Sequence, residues 1–336
     1  MRSLPKALVV TGLIGSVLAL AGCGNDPGSS ATASPTSAAT ASRSASGSPS
    51  ASPSASVKVS NSLDAIKVTG DYGKQPKVSF KPPFAIDKTR TSVVKPSKGP
   101  KVAQNSMVSV SYYGVNGRTG KVFDQSFDTG KPISFSLAQV VPGFQKGLVG
   151  QNQGSRVLIA MPGSDGYDAS GGNPQAGINV GDTLLFVVDI DQVQLPGPTG
   201  SAVSPKAGLP AVTETNGKPA VAAGTGSAPT SLQVQPLIKG TGPKVADGDT
   251  VTFNYLWQTW DGRALESSYG AQPAQLATDK MLTGLKKGLV GQPVGSRVLI
   301  VVPPGKDGYP NGNDKPKVEK TDTLVFVVDI LFSQAQ

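Results

Sequence analysis

The chain contains one long segment twice, and that duplication limits the folds open to it more than anything else. Gly99-Pro100-Lys101-Val102-Ala103 returns as Gly242-Pro243-Lys244-Val245-Ala246, 143 residues on. Gly147-Leu148-Val149-Gly150-Gln151 returns from Gly288 to Gln292, and Gly154-Ser155-Arg156-Val157-Leu158-Ile159 from Gly295 to Ile300, both 141 on. Phe186-Val187-Val188-Asp189-Ile190 returns as Phe326 to Ile330, 140 on. The drift places small length differences in loops. The likeness begins earlier, since Leu63…Gly73-Lys74 resembles Leu209…Gly217-Lys218. Each copy therefore carries its own N-terminal extension and, at roughly 130 residues, is long enough to bury its own core. We expect a first unit over 58–195 with its core at 95–195, a Pro/Gly/Ser-rich linker at 196–206, and a second unit over 207–336 with its core at 239–332.

Ahead of the repeats, Arg2 and Lys6 precede an apolar run from Ala7 to Leu20. Such a run is too short for a stable membrane span and reads as a secretory leader. It ends Leu20-Ala21-Gly22-Cys23, which resembles the lipobox of bacterial lipoproteins at every position. The resemblance implies removal of a signal peptide at 1–22 and lipidation of the Cys23 thiol. The mature chain would then be exported and anchored to the outer face of the cytoplasmic membrane. Residues 23–57 are nearly all Ser, Ala, Thr, Pro and Gly, which cannot bury enough apolar surface to fold, so a disordered tether is expected.

Composition removes several kinds of chemistry. The 336 residues include no histidine and a single cysteine. Ser–His and Cys–His catalysis, histidine metal sites and intramolecular disulfides are therefore excluded. No metal and no cofactor are expected. The net charge is +9, but its basic residues are scattered in single positions and short pairs such as Lys286-Lys287. Nucleic-acid binding needs a clustered basic face, so no such partner is expected, and the chain should be monomeric.

Within one copy the pattern is mainly β. Met107 to Tyr113 alternates Met107, Ser109 and Ser111 against Val108, Val110 and Tyr112; Arg156 to Met161 is a short apolar strand. Leu184, Phe186, Val188 and Ile190 share one face of the last strand by their period of two. One helix is predicted between them. Pro142 suits its first turn, Phe144 and Leu148 stack at i and i+4, and Gly150 ends it. In the second copy Thr283 is the expected cap, Leu285 and Leu289 the pair, and Gly291 the stop.

These elements, with Val-Ser-Tyr-Tyr-Gly at 110–114, Phe-Asp-Gln-Ser at 123–126, Val-Val-Pro-Gly-Phe-Gln-Lys-Gly at 140–147, Gly166-Tyr167 and Leu185-Phe186-Val187, resemble the FKBP-type peptidyl-prolyl cis–trans isomerases. The resemblance covers roughly 95–195 and 239–332. It implies an α+β fold of two tandem domains, each an antiparallel sheet wrapped around a short helix. It also implies a catalytic pocket of Tyr112, Phe123, Asp124, Val141, Phe144, Tyr167 and Phe186, with Ile133, Val140, Asn173 and Ile178 as further substrate-binding positions. Phe144 stands where the family usually has tryptophan, and Ile133 replaces an aromatic wall. Read singly, each aromatic is also an ordinary core residue, Asp124 a turn cap and Tyr167 a turn residue.

The implied substrate is an X–Pro-containing polypeptide. Rotation about an amide faces a barrier of about 18–20 kcal/mol because planarity carries resonance. Favouring the twisted imide needs no nucleophile, metal or cofactor. The second copy keeps Tyr255, Tyr309 and Phe326, but Leu265 and Glu266 replace the Phe-Asp pair and Leu285 the floor aromatic. Leu282 and Trp257 also depart from the first copy. A weaker, largely aliphatic pocket is expected there, with activity mainly in the first copy. Two other readings stand beside the isomerase: a chaperone-like polypeptide-binding lipoprotein with little catalysis, and a structural spacer of the cell envelope.

Overall fold

The computed structural model of the chain describes residues 57–335. The expected leader, Cys23 and the tether up to residue 56 lie outside the described residues.

Each repeat builds an antiparallel sheet. In the first, β1 (Arg90–Lys95), β2 (Met107–Asn116), β3 (Val122–Gln125), β4 (Ile133–Ser136), β5 (Arg156–Met161) and β6 (Leu184–Val193) pair in the order β1-β5-β6-β2-β3, and β4 also pairs with β2. The second holds β7 (Gly200–Ala202), β8 (Gln233–Gly240), β9 (Thr250–Thr259), β10 (Ala264–Ser267), β11 (Ala274–Ala277), β12 (Arg297–Val302) and β13 (Leu324–Gln334). Their order is β7-β8-β12-β13-β9-β10, with β11 on β9. The predicted first strand runs on to Asn116, because β6 offers partners as far as the Leu184–Asn116 pair.

One short helix per repeat lies against the sheet: α1 (Pro142–Leu148) and α2 (Thr283–Leu289). Pro142 opens α1, where its missing N–H costs nothing. Gly150 and Gly291 follow the helices at φ +83° and +87°, a left-handed conformation that glycine adopts without a steric penalty. Thr283 is not the cap of α2. That place belongs to Leu282, no side-chain hydrogen bond closes the helix start, and Thr283 is its first helical residue. Both helices sit close to their strands because they present glycine there. A Cβ on Gly147 would stand 2.7 Å from Ile159 Cδ1, and one on Gly288 2.5 Å from Ile300 Cδ1.

The period-two reading of β6 holds. Leu184, Phe186, Val188 and Ile190 join Phe144, Leu148 and Tyr112 in the core on the helix side. The opposite face, with Leu158, Ala160, Leu185 and Val187, is also buried, and the extension is what buries it. Ile66, Phe84 and Ile86 pack there, flanked by Leu63, Val68, Val78 and Phe80. The second extension repeats the arrangement with Leu209, Val212 and Val221 against Leu299, Val301, Val325 and Val327.

A buried ion pair anchors each extension. Arg156 and Asp189, both fully buried, pair at 2.6 Å through Nε and Oδ1. The guanidinium also donates to the carbonyls of Gly70 and Lys74 at 3.1 and 2.6 Å, and the Gly73 N–H donates to Asp189 at 2.7 Å. In the second repeat Arg297 pairs with Asp329 at 2.6 Å, with Glu214 of its extension, and donates to the Gly217 carbonyl. The Gly-Lys dipeptides shared by the two extensions mark the turns that close over these pairs.

The expected linker at 196–206 is ordered. Leu195 is buried in the second core and its N–H donates to the Leu331 carbonyl at 3.0 Å. Gly200–Ala202 then forms β7, paired with β8. Glycine and serine mark the segment as a linker in composition, but an open sheet edge supplies partners for its backbone.

Candidate functional site

Phe186 is the centre of the first cleft. Its ring meets Phe144 at 4.6 Å between centroids, Phe123 at 5.4 Å and Tyr112 at 6.2 Å, all tilted or edge-on. Offset and edge-on contacts of this kind suit the quadrupoles of the rings. Phe135 adds an edge contact to Phe144 at 5.9 Å. Strand register explains Phe123. Gly114 lies directly opposite Phe186 on the neighbouring strand, and a Cβ there would stand 2.7 Å from the Phe123 ring. Glycine leaves the space in which Phe123 reaches Phe186.

Tyr112, Phe144 and Phe186 are exposed by no more than 1% and form a closed floor. The surface open to a partner comes from the half-buried Phe123, Val140, Val141 and Tyr167, packed around the same core, and from Ile133, which is 38% exposed. The cleft is therefore a shallow aromatic dish. It is not a deep slot between the four aromatics.

Its polar groups are few and placed at the wall. The Tyr112 hydroxyl donates to Asp124 Oδ2 at 2.6 Å, and the Gln125 N–H donates to Asp124 Oδ1 at 2.9 Å. Burial raises the Asp124 carboxyl above its ordinary value, outweighing these two bonds, which favour the ion. Burial likewise raises both tyrosines, Tyr112 more strongly, with Asp124 adding to each. The Val141 N–H and the Tyr167 hydroxyl take no hydrogen-bond partner among the described residues. Two unspent donors thus border an apolar dish.

The loop that carries Tyr167 is tied to the helix that carries Phe144. Asp165 accepts from Lys146 Nζ and from the Thr89 hydroxyl, each at 2.6 Å. Thr89 belongs to the extension, just ahead of β1. Sequence reasoning had no signal for this tie apart from the parallel Lys287–Asp307 pair of the second repeat, also at 2.6 Å.

Two expected rim residues have other occupations. Ile178 is only 2% exposed and packs within the core. Asn173 uses its backbone on both sides of a bridge to Ile178, and its side chain accepts from the Ala176 N–H. Ile178 shapes the loop from within, whereas Asn173 is tied into the loop but stays half-buried at its surface.

The second cleft is not aliphatic. Trp257 takes the register position of Gly114, opposite Phe326, and stacks on it at 5.0 Å with an interplanar angle of 7°. Tyr309 lies 6.2 Å from the indole. Leu265, Leu282 and Tyr255 are half-buried around this core, Leu285 is buried in it, and Glu266 lies exposed at its edge. Burial, with Glu266 beside it, pushes the Tyr255 hydroxyl up to about 12. Among the described residues no group of three or more His, Cys, Asp or Glu is placed to hold a metal ion.

Residues 99–191 and 242–331 both match the family model described as FKBP-type peptidyl-prolyl cis-trans isomerase. The chain belongs to that family. Over 94 residues it is 33% identical to a probable FK506-binding protein of Corynebacterium glutamicum, covering 28% of this chain and 76% of that one. Over 97 residues it is 37% identical to the FK506-binding protein of Streptomyces anulatus, covering 27% and 75%. Among solved structures, FkpA from Escherichia coli is 32% identical over 31% of this chain and 47% of that chain, with a TM-score of 0.29. As a member of an isomerase family, this chain has proline-containing polypeptides as its implied substrates.

Proposed function

We propose that the chain accelerates cis–trans isomerisation of X–Pro bonds in exported polypeptides, mainly through the first repeat. The observation that carries this is the dish built on Phe186, with the hydroxyl of Tyr112 bound to Asp124 at its wall. The pyrrolidine ring would rest on the exposed parts of Phe123, Ile133, Val140, Val141 and Tyr167, above the closed floor. Those apolar surfaces exclude water from the planar, more polar imide and so favour the twisted form, whose carbonyl and nitrogen are no longer conjugated. The free Val141 N–H would donate to a substrate carbonyl, the Tyr167 hydroxyl to a neighbouring one, and Asp124 would orient the polar groups around the twisted bond. Lowering the barrier by about 6 kcal/mol would accelerate the reaction roughly 10⁴-fold.

Leu20-Ala21-Gly22-Cys23 supports export and lipid anchoring at Cys23, with 23–57 as the stalk and the outer face of the cytoplasmic membrane as the place of work. Two acyl chains would hold a monomeric protein there stably, at about 0.8 kcal/mol per buried methylene. An isomerase assay on the full chain with an X–Pro peptide tests the activity. Phe123→Ala should lower kcat/KM at least tenfold, and Leu265→Ala should lower it far less. No turnover by the unaltered chain, with peptide still bound, would favour the chaperone-like reading instead.

A further inference from the structure

The extension that covers the back of the first sheet carries five lysines between residues 59 and 88: Lys67, Lys74, Lys77, Lys81 and Lys88. All five are exposed, and none has an ion-pair partner among the described residues. The same stretch holds three carboxylates, Asp64, Asp71 and Asp87. Two of them are taken from outside it, Asp71 by Lys95 and Asp87 by Arg90, each at 2.8 Å. The counterpart in the second repeat, 207–236, has one lysine, Lys218, and one acid, Glu214, which pairs with Arg297. Excess positive charge thus belongs to the first extension and not to the duplicated fold.

Local structure turns these side chains outward. Lys67–Thr69 and Lys77–Ser79 form an antiparallel pair in which Val68 lies opposite Val78. Both valines pack on the back of the sheet, so alternation along each strand directs Lys67 and Lys77 to solvent. Lys67 faces Ser79 and Lys77 faces Thr69, which sets the two lysines diagonally, roughly 7–8 Å apart. Phe80 also packs inward, and Lys81 beyond it is exposed. Lys74 stands in the turn between the two segments, where its carbonyl accepts from Arg156 and the residue is otherwise in solvent. Neighbouring like charges repel, and an anionic partner relieves that repulsion.

Two observations say which partner. The 23–57 segment, with the lipobox at its head, leads directly into this extension. The extension also lies on the face of the sheet opposite the helix and the dish. A broad anionic surface can therefore meet the lysines without covering the dish.

We infer that the first extension docks on anionic phospholipid headgroups, holding the first repeat against the membrane with its dish turned outward to clients. The inference rests on the export reading for its setting. Each basic residue near an anionic lipid surface strengthens binding by roughly fivefold, so the lysines act as an orienting contact in addition to the lipid.

The test uses the full chain with Cys23→Ser, so that no lipid contributes. Its co-sedimentation is measured with vesicles of phosphatidylcholine alone and of phosphatidylcholine mixed with phosphatidylglycerol. The chain should prefer the mixed vesicles by at least about tenfold at roughly 0.1 M salt. The preference should vanish near 1 M, where the screening length shrinks to about 3 Å. The variant Lys67→Gln/Lys74→Gln/Lys77→Gln/Lys81→Gln should lose most of the preference. Removing the same charge from exposed lysines of the second repeat, with Lys239→Gln/Lys244→Gln/Lys315→Gln/Lys320→Gln, should leave most of it. No preference for the anionic vesicles, or equal losses in the two variants, would overturn the inference. Tighter binding to single-stranded DNA than to the vesicles, through the same four lysines, would also overturn it. Turnover of a soluble X–Pro peptide should be unchanged in the extension variant and should persist in the vesicle-bound chain; its loss on binding would overturn the outward dish. Lipidation is read apart from this, from the mass of the mature chain with Cys23 intact. A mass without acyl chains would end the anchoring reading and leave the vesicle result to stand or fall on its own.

Discussion

The two clefts place an aromatic ring against the same strand phenylalanine from different strands. In the first, glycine at 114 leaves room, and Phe123 reaches across from the edge strand to Phe186. In the second, Trp257 occupies the glycine's position and lies flat on Phe326, with Leu265 on the edge strand. Position by position, the second repeat has lost a wall aromatic. In space the aromatic has moved by one strand. The lasting differences are the floor, where Leu285 replaces Phe144, and the polar wall, where the 2.6 Å Tyr112–Asp124 bond gives way to Tyr255 beside an exposed glutamate.

The anchors of the extensions separate the repeats most sharply. Asp189→Ala leaves Arg156 with only carbonyl partners in a fully buried site and should cost about 3–5 kcal/mol in urea unfolding. Asp329→Ala leaves Arg297 with Glu214 and should cost distinctly less. Equal losses would break the contrast. The wall swap comes next. Gly114→Trp alone should cost about 1–3 kcal/mol through overpacking against Phe123, and adding Phe123→Leu should restore most of it. If the double variant were no more stable than the single one, the aromatic would not have moved as described.

The floor is tested by activity. Phe144→Leu should lower kcat/KM roughly tenfold, a change of about 1.4 kcal/mol in the barrier. Leu285→Phe made in that background should recover part of the loss; no recovery would show that more than the floor separates the repeats. The smallest effect concerns Asp124. Its raised value means that the fold favours the neutral acid, and this stability is complete below the unfolded value and lost as pH rises through the folded one. Asp124→Asn should therefore raise Tm at pH 7 by about 1–2 °C. That gain should vanish in acid, where the native aspartate is itself neutral, and activity should fall at both pH values.

Much of this was legible beforehand because it follows from local pattern. The period of two in Leu184, Phe186, Val188 and Ile190 specified which face meets the helix, and Pro142 with Gly150 bounded that helix. The duplicated Arg and Asp were visible only as repeated letters. Their pairing spans 33 residues in one repeat and 32 in the other and needed the strand register. Nor did a linear reading show that Trp257 replaces an aromatic wall, that Ile178 is core, or that 196–206 supplies a strand. Each depends on what lies across from a residue in space.

By itself, then, the sequence determined two copies of one mainly β unit with a helix in each, and it excluded histidine and disulfide chemistry, while the aromatic set came only as what the family resemblance implies. The repeats, the helices and the exclusions follow from composition and short-range periodicity, which act through neighbours along the chain. Only the tertiary structure decided that the extensions cover the backs of the sheets, that the floor is closed, and that the lysines of the first extension face away from it. Those outcomes depend on register and packing between distant segments, where a single glycine or tryptophan decides which ring fills a space.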